Sequence, residues 1–164
     1  MTKSVYLAGP DVFRQDSIEW GQYLQRLCRQ AGLVGLYPLD NVIDTRLPPR
    51  QRACAIAQAN MGMIRSAHGV IANLQAFRGA EPDSGTVFEV GMAVALGKPV
   101  WAVFPDRGDL RTQVPSNEHG FCQQGWLVED FGLPRNLMLA CTWAGHSATV
   151  EEAVAGMAEL LSGQ

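Results

Sequence analysis

One carboxylate stands apart in this sequence of 164 residues. Between Asp83 and Lys98 the only charged residue is Glu89, and its neighbours are almost all apolar. A helix that is apolar on every side is normally buried, and a buried glutamate is costly unless it is paired or hydrogen-bonded. We therefore expect Glu89 to be a catalytic carboxylate at the mouth of a pocket, with Asp83 as its partner, or to serve a structural motif.

The structural alternative is a capping box at the start of a helix. Thr86-x-x-Glu89 fits the pattern in which a threonine caps the helix and the glutamate reaches back to the threonine backbone N–H. The two interpretations are compatible, because a cap can hold a nucleophile in place.

The composition indicates one globular domain, which we expect to span residues 1–164. Hydrophobic residues make up 47% and charged residues 18%, and a net charge of -3 without basic runs argues against a nucleic-acid or anionic-membrane surface. Scattered cysteines without a C-x-x-C motif predict free thiols and a cytoplasmic protein. His119-x-x-Cys122 is an isolated pair, so we expect neither a metal site nor a cofactor.

Strand-like and helix-like segments alternate along the chain, which predicts an α/β fold with a mostly parallel sheet. Strands are expected at 5–8, 33–37, 69–74 and 100–104, and helices at about 15–31, 50–66, 85–96 and 149–161. The segment 136–141 could be helix or strand. Residues 105–134 read as irregular, and a loop of this length is usually functional or interfacial.

Ligands of open parallel sheets bind outside the carboxyl ends of the strands. Four segments follow predicted strands here: Gly9-Pro10-Asp11, Asp40-Asn41, the loop from Asn73 to Asp83, and Pro105-Asp106. Glu89 belongs to the first turns of the helix that starts at this edge. The glycine-rich motifs of dinucleotide and triphosphate sites are missing, as is the G-x-S-x-G elbow of serine hydrolases.

Several motifs together resemble the nucleoside 2-deoxyribosyltransferase family, from the first strand to about residue 142. They are Y-L-A-G-P-D-V-F at 6–13, F-R-G at 77–79, P-D-S-G-T-x-F-E-x-G-x-A at 82–93, L-G-K-P-V at 96–100, E-D-F-G-L-P at 129–134 and N-L-M at 136–138. The D-x-G-x-x-x-E spacing combined with the later N-L-M is the most specific part.

The resemblance implies an enzyme of flavodoxin-like, doubly wound fold with about five strands, which moves 2-deoxyribose between nucleobases through a covalent sugar–enzyme intermediate. Glu89 matches the nucleophile, Asp83 the aspartate that exchanges a proton with the base, and Tyr6 an active-site tyrosine. A neighbouring subunit of a homo-oligomer, based on dimers and up to a hexamer, would lend Asn136 and Met138 to the pocket around the sugar 5′-hydroxyl. The residues expected around the substrate are Gly9, Asp11, Phe13, Asp40, Asn60, Gly85, Asn136 and Met138.

The sequence departs from some members of the family at Asn60, where they carry an aspartate. The segment between Asp106 and Pro134 also differs from the shortest members, so the lid of the pocket is expected to differ. The region around Trp126 could be that lid or a subunit contact.

The expected chemistry makes a demand on Glu89. A carboxylate can trap the oxocarbenium-like sugar only when it is ionised. Burial raises a carboxyl pKa, while a helix N-terminus and a tyrosine hydrogen bond lower it. We predict that the lowering effects are larger at Glu89, and that Asp83 is able to hold a proton.

Structural interpretations remain open for most of these residues. Tyr6 could be a core aromatic, Asn136 a helix cap and Met138 core filler. Asp11, Asp40 and Asn41 could be turn residues, and the three histidines structural or surface groups. Two other functions also remain: a hydrolase that cleaves deoxynucleoside 5′-monophosphates, and a non-catalytic nucleoside-sensing module.

Overall fold

A five-stranded parallel sheet forms the centre of the computed structural model, which describes residues 2–163. The strands run in the order β2-β1-β3-β4-β5, and each neighbouring pair is parallel. Their bounds are β1 (Lys3–Ala8), β2 (Leu33–Leu36), β3 (Gly69–Asn73), β4 (Val100–Val103) and β5 (Gly145–Ser147). This order, with helices on both faces, confirms the predicted doubly wound α/β fold.

Helices cover both faces of the sheet. Their bounds are α1 (Ser17–Gln30), α2 (Pro49–Ser66), α3 (Ser84–Ala95), α4 (Leu110–Gln113), α5 (Leu137–Ala140) and α6 (Val150–Ser162). One buried cluster joins α1 and α6 to the sheet, and a second joins α2, α3 and α5 to the opposite face. None of the helices within residues 2–163 has the length and apolar character needed to cross a membrane.

Successive residues of β1 belong to different cores, as the alternation of side chains along a strand requires. Val5 and Leu7 join the cluster under α1 and α6, whereas Tyr6 and Ala8 join the cluster under α2 and α3. All four side chains are buried, so β1 lies between two hydrophobic layers. This arrangement points Tyr6 toward α3, where the chemistry is expected.

Local signals in the sequence explain the helix ends. Pro49 occupies the first position of α2, where its missing N–H and fixed φ are tolerated. Gly97 follows the last residues of α3 with φ of 67°, a left-handed conformation that glycine adopts without strain. These signals place the helix bounds within two residues of the prediction.

The structure corrects one expectation about α3. The apolar sequence of this helix predicted burial on all sides, but Phe88 is 61% exposed, and Val94 and Leu96 are exposed as well. Val90 and Ala93 form the face that packs on the sheet. The outer face is apolar without a covering element from the same chain.

The segments left undecided by the sequence form short elements. Residues 137–140 form α5, a single helical turn. The segment 105–134 is irregular as predicted, apart from α4 and two isolated antiparallel bridges. It runs from the end of β4 to the residues that precede α5.

Candidate active site

A tyrosine and a glutamate from different elements are hydrogen-bonded on one face of the sheet. The Tyr6 hydroxyl on β1 donates to Oε1 of Glu89 at 2.6 Å. Glu89 lies in the second turn of α3, and Tyr6 is fully buried. Within residues 2–163, Oε2 of Glu89 accepts no hydrogen bond. One oxygen is therefore held in place while the other is available for reaction.

Asp83 is the N-cap of α3, which corrects the capping-box interpretation. Its Oδ2 accepts hydrogen bonds from the backbone N–H and the hydroxyl of Thr86, both at 2.9 Å. Thr86 therefore lies inside the helix and does not cap it. Glu89 does not reach back to Thr86, because its carboxyl is bonded to Tyr6. The aspartate and the glutamate are held at the start of the same helix.

Burial raises the pKa of Glu89 to about 7, and this overturns the prediction that the lowering effects are larger. The hydrogen bond from Tyr6 lowers the pKa, but desolvation is the larger effect and the nearby charge of Asp83 adds to it. The pKa of Tyr6 is raised as well, mainly by burial and to a lesser extent by the charge of Glu89 and the hydrogen bond to it. Tyr6 therefore stays a neutral donor, and both forms of Glu89 are populated near neutral pH.

A cavity of about 430 Å³ lies beside Glu89. It lies between α2 and α3, and its walls are mostly apolar. The lining residues are Ala53, Ile56, Ala57, Asn60, Met61, Ile64, Gly85, Phe88 and Glu89. Two residues expected around the substrate, Asn60 and Gly85, are therefore brought together with Glu89.

Among the described residues of that lining, Asn60 is the one with a side-chain amide. It is hydrogen-bonded to Asn41 in the segment that follows β2. Its Oδ1 accepts a hydrogen bond from Nδ2 of Asn41 at 3.0 Å, and the same Asn41 nitrogen donates to the carbonyl of Pro38. The amide thus connects α2 to the loop after β2. The sequence is compatible with Asn41 as a turn residue, and this contact places it next to the cavity lining.

Asp40 has local partners and is not part of the cavity lining. Its Oδ2 accepts hydrogen bonds from Nε2 of Gln25 at 2.7 Å and from the backbone N–H of Tyr37 at 3.1 Å. These contacts fit the interpretation of Asp40 as a turn residue. A role in substrate binding stays a prediction.

Gly9 and Asp11 lie at the end of β1 and turn toward the other face of the sheet. Asp11 is buried, and its Oδ2 accepts a hydrogen bond from Nδ2 of Asn73 at 3.0 Å. A Cβ on Gly9 would come within 2.5 Å of that carboxyl oxygen and 2.9 Å of the Asn73 Cβ, so the site requires glycine. Asp11 does not share a cavity with Glu89.

Phe13 belongs to an exposed aromatic cluster at the carboxyl edge of the sheet. Its ring stacks on Phe77 with 5.8 Å between centroids, and the Arg78 guanidinium lies 5.4 Å and 4.5 Å from the two rings. Arg78 has φ of 54°, an uncommon conformation for a residue with a side chain. Phe77 and Arg78 belong to the F-R-G motif at 77–79, which by itself does not indicate this cluster.

Asn136 and Met138 lie across α3 from Glu89. Asn136 caps α5, since its Oδ1 accepts from the backbone N–H of Met138 at 3.0 Å and its Nδ2 donates to Glu129. Met138 is 69% exposed, and both residues line a separate cavity of about 540 Å³ beside α3. The helix-cap interpretation of Asn136 is confirmed. Within one chain these two residues do not line the Glu89 cavity.

Arg135 is a buried charge that sequence reasoning missed. Its Nε donates to the carbonyl of Leu74 at 2.9 Å, its other nitrogens reach Gln113 and the carbonyl of Pro134, and its guanidinium lies 4.3 Å from the Phe104 ring centroid. Burial lowers its pKa. The side chain joins the irregular segment to the ends of β3 and β4, directly before Asn136. Its position after a proline in a loop gave no signal of burial.

The described part of the chain offers no cluster of three or more histidine, cysteine, aspartate or glutamate side chains that could hold a metal ion. The side chains of Glu89, Tyr6 and Asn60 bring carboxyl, hydroxyl and amide groups to the site.

Comparisons with known proteins agree with this geometry. The sequence pattern of the nucleoside 2-deoxyribosyltransferase family matches residues 5–138. A 2-desoxiribosyltransferase from Leishmania mexicana is 34% identical, with a TM-score of 0.80 over 96% of this chain and 97% of that structure. An uncharacterized protein of Schizosaccharomyces pombe is 33% identical over 125 residues, which are 74% of this chain and 57% of that relative. The matched region thus spans little more than half of the yeast protein.

Two more distant structures share the fold alone. A 2-deoxyribosyltransferase from Bacillus psychrosaccharolyticus is 17% identical, with a TM-score of 0.63 over 92% of this chain and 90% of that one. The CMP N-glycosidase of Clostridium botulinum is 15% identical, with a TM-score of 0.51 over 97% of this chain and 99% of that one. The family pattern extends over most of the chain and includes both carboxylates, so the protein belongs to the nucleoside 2-deoxyribosyltransferase family.

Proposed function

We propose that the protein transfers 2-deoxyribose from a 2′-deoxynucleoside to a second free nucleobase, as a cytoplasmic enzyme of nucleotide salvage. The observation that carries the proposal is Glu89, bonded to Tyr6 at 2.6 Å, lining an apolar cavity and having a pKa raised to about 7. A carboxylate in such a site is a weakly solvated nucleophile. Membership of the family supplies the class of substrate.

The first half-reaction forms a sugar–enzyme ester. Oε2 of Glu89 bonds to the anomeric carbon C1′ while the glycosidic C–N bond breaks and its electron pair leaves with the base. The leaving nitrogen takes a proton from Asp83, whose Oδ2 is held by Thr86 while Oδ1 has no hydrogen-bond partner within residues 2–163. Tyr6 keeps Oε1 in place throughout.

The second half-reaction is the reverse with another base. The incoming nitrogen gives its proton to Asp83 and bonds to C1′, and the ester bond to Glu89 breaks with its electron pair returning to the carboxylate. The scheme needs no cofactor. Water in place of the second base would give hydrolysis, so an apolar cavity that limits water favours transfer.

The outer face of α3 supports the proposal of a homo-oligomer. Phe88 and Met138 are large, apolar and more than half exposed, and Ile56 of α2, which lines the same cavity as Phe88, is exposed as well. Exposed apolar surface of this kind commonly marks a protein contact. A second copy packed there would bring its own Asn136 and Met138 toward the Glu89 cavity, around the sugar 5′-hydroxyl.

Hydrolysis of a deoxynucleoside 5′-monophosphate is the alternative. It would require a cation for the phosphate, and among the described residues the lining of the Glu89 cavity contains no lysine or arginine. This lining suits a neutral 5′-hydroxyl better than a phosphate, which favours transfer over hydrolysis of a monophosphate.

An exchange assay tests the proposal. The protein is incubated with 2′-deoxyadenosine and a second free base, and new deoxynucleosides are separated by chromatography. We expect base exchange that Glu89→Ala abolishes and that Glu19→Ala, a change of an exposed glutamate on α1, leaves intact. Release of base without exchange would indicate the hydrolase, and binding without turnover the sensing module. Mass spectrometry should find 2-deoxyribose attached to Glu89.

A further inference from the structure

A second cavity lies on the opposite face of the sheet from Glu89. It has a volume of about 290 Å³ and lies between the first turns of α1 and α6, over the ends of β1, β3 and β4. Its floor is formed by Leu7, Ile71 and Val103, which face away from Tyr6 on their strands. None of its lining residues lines the Glu89 cavity. The sheet therefore separates the two spaces.

A buried carboxyl lines this second cavity with spare hydrogen-bonding capacity. Asp11 is only 7% exposed, and its side chain accepts one hydrogen bond within residues 2–163, from Asn73 to Oδ2. Its Oδ1 has no partner in that part of the chain. Burial raises the pKa of Asp11, so a hydrogen-bond donor in the cavity would stabilise the carboxylate.

A buried donor without a partner lines the same cavity. The indole Nε1–H of Trp20 is near enough to Asp11 to lower its pKa, but it forms no hydrogen bond of acceptable geometry within the described residues. An unpaired buried N–H is rare because its desolvation is not offset by a hydrogen bond. Two neighbours hold the indole ring in position. The Arg14 guanidinium lies over the ring, 4.4 Å from its centroid, and the Tyr23 ring packs beside it.

The charged groups at the rim already have partners. Arg14 forms a two-pronged ion pair with Asp16, at 2.8 and 2.9 Å, and Glu151 accepts a hydrogen bond from the Tyr23 hydroxyl. Among the buried polar atoms of the lining, one carboxyl oxygen of Asp11 and the indole N–H of Trp20 remain for a ligand. An anion would meet the Asp11 carboxyl in an apolar space, and the described residues form no metal-binding cluster there.

The cavity therefore suits a small, mostly apolar molecule that has an N–H donor next to an acceptor. Its volume is at the lower end of the range of small-molecule sites, about 300–1,000 Å³. The edge of a nucleobase has this pattern, with a ring or amino N–H adjacent to a ring nitrogen or carbonyl oxygen. We propose that this cavity is a second, non-catalytic site for a free nucleobase, bound through Asp11 and Trp20. The choice of a nucleobase rests on the proposed function, which would release free bases next to this site.

The indole resonance of Trp20 reports on this binding without any turnover. In ¹H–¹⁵N spectra the chain should give one indole signal for each of its four tryptophans, and Trp20→Phe identifies the signal of Trp20. Uracil and adenine are titrated in turn. We expect at least one of them to move the Trp20 signal downfield with saturation, as its N–H gains an acceptor. 1,3-Dimethyluracil, which has no N–H, should leave it in place.

A pair of matched variants separates the two cavities. Ala148 is exposed at the rim of the second cavity, and Ala144 is exposed at the other end of β5, outside it. Ala148→Trp should block the base-induced shift of Trp20 and leave exchange activity intact, whereas Ala144→Trp should change neither. The proposal is overturned if no base moves the Trp20 signal, if dimethyluracil moves it equally, or if Ala148→Trp leaves the shift unchanged. Failure of the proposed function would instead appear as an absence of exchange activity while the Trp20 shift persists.

Discussion

The protonation of Glu89 sets a pH dependence that can be measured. A nucleophile with a pKa of about 7 is mostly neutral at pH 5, so kcat/KM should rise about tenfold per pH unit from pH 5 toward pH 7 as the ionised fraction of Glu89 grows. Tyr6→Phe removes the hydrogen bond that lowers this pKa, so the midpoint should move to higher pH. Tyr23→Phe, which removes a hydroxyl bonded to Glu151, should leave the midpoint unchanged. A flat profile between pH 5 and 8 would contradict this assignment.

The Glu89 carboxyl should make the folded state less stable as the pH rises, whereas an ion-paired surface acid makes it more stable. The folded pKa of about 7 exceeds the ordinary value of 4.5, so the folded state holds the proton more tightly. This stabilisation is complete below about pH 4.5 and is lost as the pH rises through 7. At about 1.4 kcal/mol per unit, the loss between pH 5 and 8 is about 2–3 kcal/mol. The free energy of unfolding of Glu89→Gln, relative to that of the wild type, should therefore rise by this amount between pH 5 and pH 8.

Denaturant unfolding at pH 5 and pH 8 measures the difference. Glu159→Gln, at an exposed glutamate of α6, should show no comparable change with pH. An unchanged difference between Glu89→Gln and the wild type at the two pH values would rule out a raised pKa in the folded state.

The sequence identified the carboxylate of the proposed site but not its ionisation. Glu89 was recognisable as the only charge in an apolar helix, and Tyr6 and Asp83 followed from the motif. The direction of the pKa shift of Glu89 depends on how much solvent the fold removes from the carboxyl. The sequence predicts the hydrogen bond from Tyr6, but it does not show that desolvation has the larger effect on the pKa. Trp20 and Arg135 gave no signal, since their roles arise from contacts between distant segments.

At the scale of elements, Asp83 has two separable roles. It caps α3 through two bonds from Thr86, and it is the proposed proton donor to the base. Asparagine caps helices about as well as aspartate but has no carboxyl proton to exchange. Asp83→Asn should therefore change the free energy of unfolding by less than about 0.5 kcal/mol. It should also lower kcat by about 10²–10⁴-fold.

Asp83→Ala provides the comparison, because it removes both roles and should also cost about 1 kcal/mol of stability. Near-normal turnover by Asp83→Asn would exclude the aspartate as the proton donor and leave it as a cap.

Arg135 should stabilise the irregular segment that carries Asn136. Arg135→Ala would leave the carbonyls of Leu74 and Pro134 and the Gln113 side chain without their donor, at a cost of about 2–4 kcal/mol. Arg135→Lys should recover part of that loss, since it retains the charge but not the fork of donors. Arg107→Ala, at an exposed arginine of the same segment, should cost little in urea unfolding. Equal effects of the two alanine variants would contradict this account.

Elements with strong local signals were predicted, and those defined by pairing were not. Apolar runs identified β1 to β4, but Gly145-His146-Ser147 has weak strand propensity and becomes β5 only through its register with β4. Its glycine is required by packing, because a Cβ at Gly145 would lie 2.8 Å from the Trp101 ring. The exposed face of α3 also escaped prediction, because composition does not say whether an apolar face is covered by the same chain.

At the scale of the whole molecule, we propose that the active site is divided between chains. Glu89 lines one cavity beside α3, while Asn136 and Met138 line another, and the apolar face between them includes the exposed Phe88. If a partner covers this face, each site combines Glu89 of one chain with Asn136 of the other. Sites of this kind can be rebuilt from two chains that are inactive alone.

Mixing Glu89→Ala with Asn136→Ala chains tests this division. Each variant alone should show little exchange, since all its sites lack one of the two groups. After subunit exchange in a dimer, half of the chains pair with the other variant, and one site in each mixed dimer has both groups intact. About a quarter of the sites should then be active. Sedimentation should show an oligomer that Phe88→Glu dissociates, and the mixture should not recover activity when both changes also carry Phe88→Glu. Recovery that never exceeds the sum of the two separate activities would show that each chain builds its site alone.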